Sequence, residues 1–232
     1  MKINIIYEDN HLLVVEKPVN IPVQADATGD MDLLSVLKQD IKERYNKPGE
    51  VYLGLVHRLD RPVGGVMVFA RTSKSASRLS DQIRTRTFNK TYLAVVRGIP
   101  RESKALLKNF LLKDERTNMV SVVDSGTAEA KEAVLEYEVL ASKVNELQGE
   151  LSLLRIKLHT GRPHQIRVQL SHAGYPLYGD QRYGAKVNKP GQQIALWAHE
   201  LSFEHPVKKE VITFVSGTPK IEPWTIFTQI TT

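Results

Sequence analysis

The sequence contains no cysteine in its 232 residues. Disulfides, thiolate metal sites and cysteine nucleophiles are therefore excluded, and a reducing cytoplasm is the expected compartment. Long apolar runs are also missing, because no stretch approaches the roughly 18 residues of a membrane-spanning helix. The N-terminus turns acidic soon after Met1, unlike a secretory signal. These absences predict a soluble, cytoplasmic protein that does not interact with a membrane.

Several catalytic motifs are absent too. The seven histidines are scattered and the pattern His-Glu-x-x-His does not occur, so no metal site is expected. There is no phosphate-binding loop of the Gly-x-x-x-x-Gly-Lys type, which disfavours nucleotide hydrolysis. The Gly-x-Ser-x-Gly pattern is missing as well, which disfavours a serine hydrolase.

The remaining pattern alternates strands and helices without repeats. A chain that is 41% apolar can bury a full core, and we predict one mixed α/β (α+β) domain over residues 1–232. The nearest approach to a linker is Ser121–Thr127. The predicted strands are Ile3–Glu8, His11–Glu16, Val51–Val56, Gly65–Ala70, Lys90–Arg97, Ala133–Ala141 and Leu151–Thr160. The predicted helices are Asp32–Lys42, Thr72–Thr85 and one that begins around Thr160–Pro163.

The segment His57-Arg58-Leu59-Asp60-Arg61 places a carboxylate between two arginines, between two predicted strands. A nearby opposite charge favours the ionised form of an acid, so Asp60 should stay charged and could act as a nucleophile. The competing interpretation is a structural ion pair, which is the commoner role of an aspartate beside arginines.

Positive charge is concentrated in two segments. Residues 54–97 carry a net charge of +7 and residues 155–189 a net charge of +6, whereas the whole chain carries only +6. Such segregation is typical of a protein that binds a polyanion, although two solvated basic faces would give the same count.

The third predicted helix divides into two faces. At 100° per residue, His164, Arg167 and Ser171 share one face, while Ile166 and Leu170 point to the core. Taken by itself, such an arginine could simply cap the helix or bridge surface acids.

These motifs together resemble the RluA-type RNA pseudouridine synthases. The similar segments are Tyr7–Pro18, His57–Gly65, Phe88–Gly98, Thr160–Val168 with its continuation through Asp180 to Gly184, and Leu201–Pro206. They span almost the whole chain in the family's order. The chain has Val63-Gly64-Gly65 where the family usually has Thr-Ser-Gly, which removes a hydroxyl, and Trp197 replaces a histidine that is often found there. Because the matches begin near the start, we expect no N-terminal S4-like RNA-binding domain.

The resemblance implies a pseudouridine synthase core of largely antiparallel sheet flanked by helices, acting on ribosomal or transfer RNA. The reaction is an isomerisation, so no cofactor is expected, and neither is an obligatory protein partner; we expect a monomer. Asp60, Tyr92 and Arg167 match the family's catalytic acid, its base-packing aromatic and the arginine that pairs with the acid. The residues expected to bind or hold the RNA are Arg58, Arg61, Arg84, Arg86 and Lys90. The residues expected to support the motifs are His57, Gly161, Arg162, His164 and Gln165.

Two alternatives of another class stay open. The first is a noncatalytic RNA-binding or RNA-folding protein, which would tolerate loss of Asp60. The second is a nucleoside or glycoside hydrolase, which would need a second carboxylate, and Asp180 is the candidate for that role. The sequence also does not decide whether Asp60 attacks the sugar or removes a proton at its 2′ carbon.

Overall fold

The computed structural model describes residues 3–227, and the chain divides into two compact units. The first unit holds the chain as far as Lys90 together with Ala198–Ser216, and the second holds Thr91–Trp197 and the chain from Gly217 onward. Strands in both units pair antiparallel, and the described part of the chain holds three α-helices. The predicted mixed α/β class is therefore confirmed.

The elements are numbered along the chain. The strands are β1 (Asn4–Glu8), β2 (Leu12–Lys17), β3 (Gly54–Leu55), β4 (Gly64–Ala70), β5 (Asn89–Arg97), β6 (Lys104–Asp114), β7 (Met119–Val123), β8 (Lys131–Asn145), β9 (Gly149–Leu158), β10 (Leu196–Glu204) and β11 (Val211–Val215). The helices are α1 (Leu33–Arg44), α2 (Ser73–Arg84) and α3 (Gln165–His172). None of the helices within residues 3–227 has both the length and the apolar character that crossing a membrane requires.

In the first unit, the strands predicted at Ile3–Glu8 and His11–Glu16 are confirmed as β1 and β2, which pair as a hairpin. The Asp9 carboxylate fixes the turn, because its Oδ1 accepts the backbone N–H groups of His11 and Leu12, each at 2.7 Å. β2 pairs with β4, and β3 also pairs with β4. The strand predicted over Val51–Val56 is wrong in extent, since only Gly54–Leu55 pairs.

The two helices of this unit begin where the sequence predicts. Asp32 and Thr72 are N-caps whose side chains accept the backbone N–H groups of Ser35 and Ser75 at 3.0 and 3.1 Å. From α2, Leu79 packs into a core cluster with residues of β2, β4 and β10.

Gly65 at the start of β4 brings that strand against β10. Its φ is +117°, and a Cβ at this position would lie 2.2 Å from the backbone oxygen of Ala198. Only glycine permits both this φ and this approach. The close packing fixes the end of the segment that carries Asp60.

In the second unit the strand order is β5-β9-β8-β6-β7. The strands predicted at Ala133–Ala141 and Leu151–Thr160 are confirmed as β8 and β9, which pair antiparallel with a tight turn near Asn145–Gly149. The β6–β7 hairpin was not predicted, and the possible linker Ser121–Thr127 begins inside β7.

Helix α3 differs from the prediction in its start. It begins at Gln165, two residues after Pro163, and its N-cap His164 has a left-handed φ of 50°. Every residue from Gln165 to Leu170 is buried, so both faces of the helix are packed. The face that carries Arg167 is therefore covered by other parts of the protein and does not face solvent.

Candidate active site

Asp60 lies in the loop of residues 57–63 that leads into β4, here called the Asp60 loop. Its backbone forms a turn in which Val63 donates its N–H to the Asp60 carbonyl oxygen at 3.0 Å. The side chain of Arg58 is exposed, whereas Leu59 and Val63 are buried. The loop thus has apolar anchors on both sides of its acid.

A buried lysine holds this loop. Lys17 has no exposed surface, and its Nζ donates hydrogen bonds to the carbonyl oxygens of Pro18, Arg61 and Val63 at 2.9, 3.0 and 2.7 Å. Three acceptors match the three N–H donors of an ammonium group. Burial lowers the pKa of Lys17 to about 7, a shift that the Asp60 carboxylate opposes and Arg61 increases. The lysine ties β2 to the residues on the C-terminal side of Asp60.

Replacement of Lys17 by methionine should therefore destabilise the first unit. The substitution leaves three carbonyl groups without their donor, and we expect the free energy of unfolding to fall by about 2–4 kcal/mol. Urea unfolding would measure this loss against Lys47→Met, at an exposed lysine, which should change it by less than about 0.5 kcal/mol. Equal stability of the two variants would contradict the anchoring role.

His57 acts inside the protein rather than at its surface. Its Nε2 accepts the backbone N–H of Val68 at 3.1 Å, so the proton sits on Nδ1, which is buried and has no hydrogen-bond partner within residues 3–227. Burial and the charge of Lys90 lower the pKa of His57 to about 3. A neutral ring packed 5.6 Å from that of Phe88 supports the structural role predicted for His57.

The remaining predicted RNA-binding residues of the first unit differ in exposure. Arg61 is exposed and binds Asp30, with 2.5 Å between Nη2 and Oδ2. Arg84 is exposed and pairs with Asp81 one turn earlier in α2, and Arg86 is exposed at a φ of 62°. Lys90 is half-buried, and this partial burial lowers its pKa.

In the second unit, Arg167 of α3 forms a buried ion pair with Asp180. Its Nε and Nη2 donate to the two carboxylate oxygens at 2.8 Å each, and side-chain exposure is 8% and 0%. Burial alone would raise the pKa of Asp180, but Arg167 and the N–H groups of Arg182 and Tyr183 outweigh burial and lower it. Asp180 therefore stays ionised.

His164 and Ser171, the other residues of the predicted α3 face, bind the turn at residues 180–183 that contains Asp180. His164 Nδ1 shares a 2.7 Å hydrogen bond with the Tyr183 hydroxyl, and Ser171 donates to the Tyr183 carbonyl oxygen at 2.6 Å. The Arg167 guanidinium lies 5.2 Å from the centre of the Tyr183 ring. The grouping of His164, Arg167 and Ser171 was therefore correct, and the turn at residues 180–183 is what it packs against.

Gln165 and Arg162 organise the start of α3. The Gln165 side chain accepts the hydroxyl of Thr160 and the backbone N–H of Arg162 at 2.8 and 3.0 Å, and it donates to the Val134 carbonyl oxygen at 3.1 Å. Arg162 donates from Nε to the carbonyl oxygen of Glu132 on β8 at 2.9 Å. Gly161 is exposed beside them.

Tyr92 is the remaining predicted catalytic residue. It lies on β5 opposite Ile156 of β9 and is 7% exposed. Tyr92 and Arg167 belong to the second unit and Asp60 to the first, and their assignment to one active site stays a prediction. Sequence reasoning missed the roles of Lys17, Asp180 and Tyr183, although all three lie in the quoted motifs.

Comparison with known proteins identifies the family. Residues 11–172, which include the Asp60 loop, Tyr92 and Arg167, match the model of the RNA pseudouridylate synthases. The chain belongs to the RNA pseudouridylate synthase family. It is 34% identical over 219 residues to the uncharacterized RNA pseudouridine synthase YhcT of Bacillus subtilis, a match that covers 94% of this chain and 69% of that protein.

Two further relatives carry more specific names. Ribosomal large subunit pseudouridine synthase D of Pseudomonas aeruginosa is 33% identical, with 97% of this chain and 71% of the relative covered. tRNA pseudouridine synthase C of Haemophilus influenzae is 30% identical, with 93% and 92% covered. Among solved structures, human RNA pseudouridylate synthase domain containing 4 is 25% identical with a TM-score of 0.77, covering 94% of this chain and 89% of that one.

The relatives confirm the RluA-type resemblance and the synthase-like fold. The protein is therefore an RNA pseudouridine synthase, an isomerase that converts uridine in RNA to pseudouridine.

Proposed function

We propose that this synthase modifies uridines in ribosomal or transfer RNA and that Asp60 is its essential carboxylate. The family match over residues 11–172 carries the proposal, because it spans Asp60, Tyr92 and Arg167. The relatives named for ribosomal and transfer RNA support these two substrate classes. We further propose that the two units work as one catalytic domain, in a cytoplasmic monomer without an obligatory protein partner.

The reaction requires an ionised acid beside the sugar. The C1′–N1 bond of the uridine breaks, the base turns, a C5–C1′ bond forms, and the proton on C5 is lost while N1 gains one. Asp60 either attacks C1′ and is later released or removes a proton at C2′ and returns it. In both routes the acid starts as a carboxylate and is regenerated, so no cofactor is consumed. Tyr92 packs against the base and assists proton transfer from C5.

Arg167 is proposed to orient Asp60. The buried pair with Asp180 fixes Nε and Nη2 of the guanidinium, and an arginine has further N–H donors on Nη1. Because one side of the guanidinium is held by a buried carboxylate, its orientation is fixed, and it can bind a second carboxylate in a defined geometry. The proposal that Asp60 is that second acid rests on the family motif.

RNA binding is assigned to the basic residues of the first unit. A stacked uridine cannot react, so it must be flipped out at a cost of a few kcal/mol. The exposed Arg58 is proposed to fill the gap or hold the flipped nucleotide. Arg61, Arg84, Arg86 and Lys90 are proposed to bind phosphates, which makes affinity depend on salt.

The ion pair in the second unit weakens the hydrolase alternative. A hydrolase of this kind would use Asp180 as its second carboxylate, yet the Asp180 oxygens bind Arg167 and two backbone N–H groups. A carboxylate with a lowered pKa in such a setting is a poor proton donor.

An in vitro assay tests the proposed substrates. Purified protein would be incubated with unmodified ribosomal and transfer RNA transcripts, and the digested nucleosides analysed by mass spectrometry. We expect pseudouridine in at least one class, at one or a few positions. Its absence from both classes and from bulk cellular RNA would favour the noncatalytic RNA-binding alternative.

Arg167→Met should lower turnover far more than Arg84→Met. The first substitution removes the proposed partner of Asp60, and we expect a loss of about 100-fold or more. The second removes an exposed arginine already paired with Asp81, and we expect a loss below about five-fold. Single-turnover rates would be measured at a temperature where circular dichroism shows both variants folded. Equal losses would contradict the role assigned to Arg167.

A further inference from the structure

An exposed acidic loop lies beside the Asp60 loop in the first unit. It comprises residues 24–31, all of them exposed, and it contains two carboxylates, Asp26 and Asp30. Thr28 organises it, because its hydroxyl donates to Asp26 Oδ1 at 2.5 Å and its backbone N–H donates to the same oxygen at 2.9 Å. This loop connects β2 to α1 and has no role in the chemistry proposed above.

Arg61 joins the acidic loop to the Asp60 loop. Its Nη2 lies 2.5 Å from Asp30 Oδ2, its Nη1 donates to the Thr28 hydroxyl at 3.3 Å, and its Nε donates to the Asn20 carbonyl oxygen at 3.2 Å. The side chains of Arg61 and Asp30 are 42% and 51% exposed. A guanidinium binds carboxylates and phosphates with the same geometry. Asp30 therefore occupies a donor that an RNA phosphate would also bind.

The position of Arg61 in the chain is the reason why competition between Asp30 and a phosphate would affect RNA binding. Arg61 follows Asp60 directly, and its own carbonyl oxygen is held by Lys17, so its backbone is fixed while its side chain reaches solvent. An RNA that places a uridine at Asp60 brings the neighbouring phosphates close to this side chain. An exposed ion pair is weak and can be exchanged at low cost.

We propose that Asp30 takes the place of an RNA backbone phosphate in the unbound protein, and that RNA binding transfers Arg61 from Asp30 to a phosphate and releases the acidic loop. The proposal rests on the proposed function, since it assumes that RNA approaches Asp60. It makes Asp30 a determinant of affinity that touches neither the base nor the sugar.

Removal of the competing carboxylate should strengthen RNA binding. Fluorescence anisotropy with a labelled stem–loop RNA that has uridines in its loop would compare the wild type with Asp30→Asn. We expect Asp30→Asn to bind about two- to five-fold more tightly, the range typical of an exposed ion pair. The matched control is Asp40→Asn, which removes the same charge from an exposed pair with Arg44 on α1 and should leave the affinity unchanged. An equal gain in both variants, or no gain in Asp30→Asn, would overturn the proposal.

A double-mutant cycle tests whether Arg61 carries the effect. In an Arg61→Met background, Asp30→Asn should give no gain, and Arg61→Met alone should reduce the salt dependence of binding by about one phosphate contact. If circular dichroism shows Arg61→Met unfolded, Arg61→Lys is the background, and the gain should again shrink because lysine lacks the planar fork. The same gain in either background would overturn the exchange.

The cycle also separates this proposal from the proposed function. Turnover by Asp60→Asn would refute the proposed catalysis, while coupling between Asp30 and Arg61 would remain measurable by binding. An essential Asp60 without such coupling would refute the exchange alone.

Discussion

Asp60→Asn is expected to abolish pseudouridine formation, with a loss on the order of 10⁴-fold or more. Asparagine is nearly isosteric but is neither a nucleophile nor a base, so both routes of the reaction fail. The affinity for RNA should stay within a few-fold, because the phosphate contacts are assigned to Arg61, Arg84, Arg86 and Lys90. Tritium release from the C5 position of labelled uridine in RNA would measure turnover, and filter binding would measure affinity.

The matched control for this experiment is Asp40→Asn. Asp40 is an exposed acid of the same unit that pairs with Arg44, and its loss should leave turnover unchanged. Comparable turnover by Asp60→Asn and the wild type would refute the catalytic assignment. A collapse of RNA affinity in Asp60→Asn would instead indicate that Asp60 shapes the binding surface.

Breaking the Arg167–Asp180 pair is expected to cause the largest loss of stability. Removal of one partner of a buried ion pair leaves the other charge uncompensated, at a cost of about 3–5 kcal/mol. Asp180→Asn should show this loss in urea unfolding, whereas Asp114→Asn, at an exposed acid, should cost less than about 1 kcal/mol. Equal losses would show that the Arg167–Asp180 pair contributes no more to the free energy of unfolding than an exposed acid does.

Two further measurements identify the pair as the cause. The double variant Arg167→Met/Asp180→Leu should regain part of the stability, because apolar residues can replace a buried pair, yet it should stay inactive.

The pH dependence of the unfolding free energy has a defined sign. The pKa of Asp180 is lowered in the folded state, so its stabilising effect is complete above the unfolded value of about 3.9 and is lost as pH falls through the lower folded value. Asp180→Asn should remove this acid-dependent part of the unfolding free energy.

Local signals in the sequence predicted the elements that depend on local contacts. Helix α2 was predicted to start at Thr72, whose side chain accepts the backbone N–H of Ser75 three residues later. The turn between β1 and β2 depends in the same way on Asp9, which accepts the backbone N–H of His11 two residues later. The strand at Val51–Val56 was overestimated because an apolar run does not reveal how many residues find a pairing partner. The β6–β7 hairpin was missed because Leu106-Leu107 and Leu111-Leu112 interrupt strict alternation.

The candidate site shows the same division between local and distant contacts. Helical periodicity places Arg167 and Ser171 on one face of α3, whereas His164 precedes the helix with a left-handed φ of 50°. Their partners Asp180 and Tyr183 depend on how the chain returns after the helix. Lys17 could not be assigned from sequence, because its three acceptors are backbone carbonyls, which any residue supplies. Its position in a motif was visible, whereas its hydrogen bonds were not.

A pseudouridine map of ribosomal and transfer RNA from cells that lack the gene would test whether this protein forms pseudouridine in those RNAs through Asp60. Carbodiimide treatment followed by primer extension would locate each modified uridine. If Asp60 is the catalytic acid, one or a few defined pseudouridines should disappear, and wild-type protein should restore them while Asp60→Asn does not. Restoration of the same positions by Asp60→Asn would refute the catalytic role of Asp60.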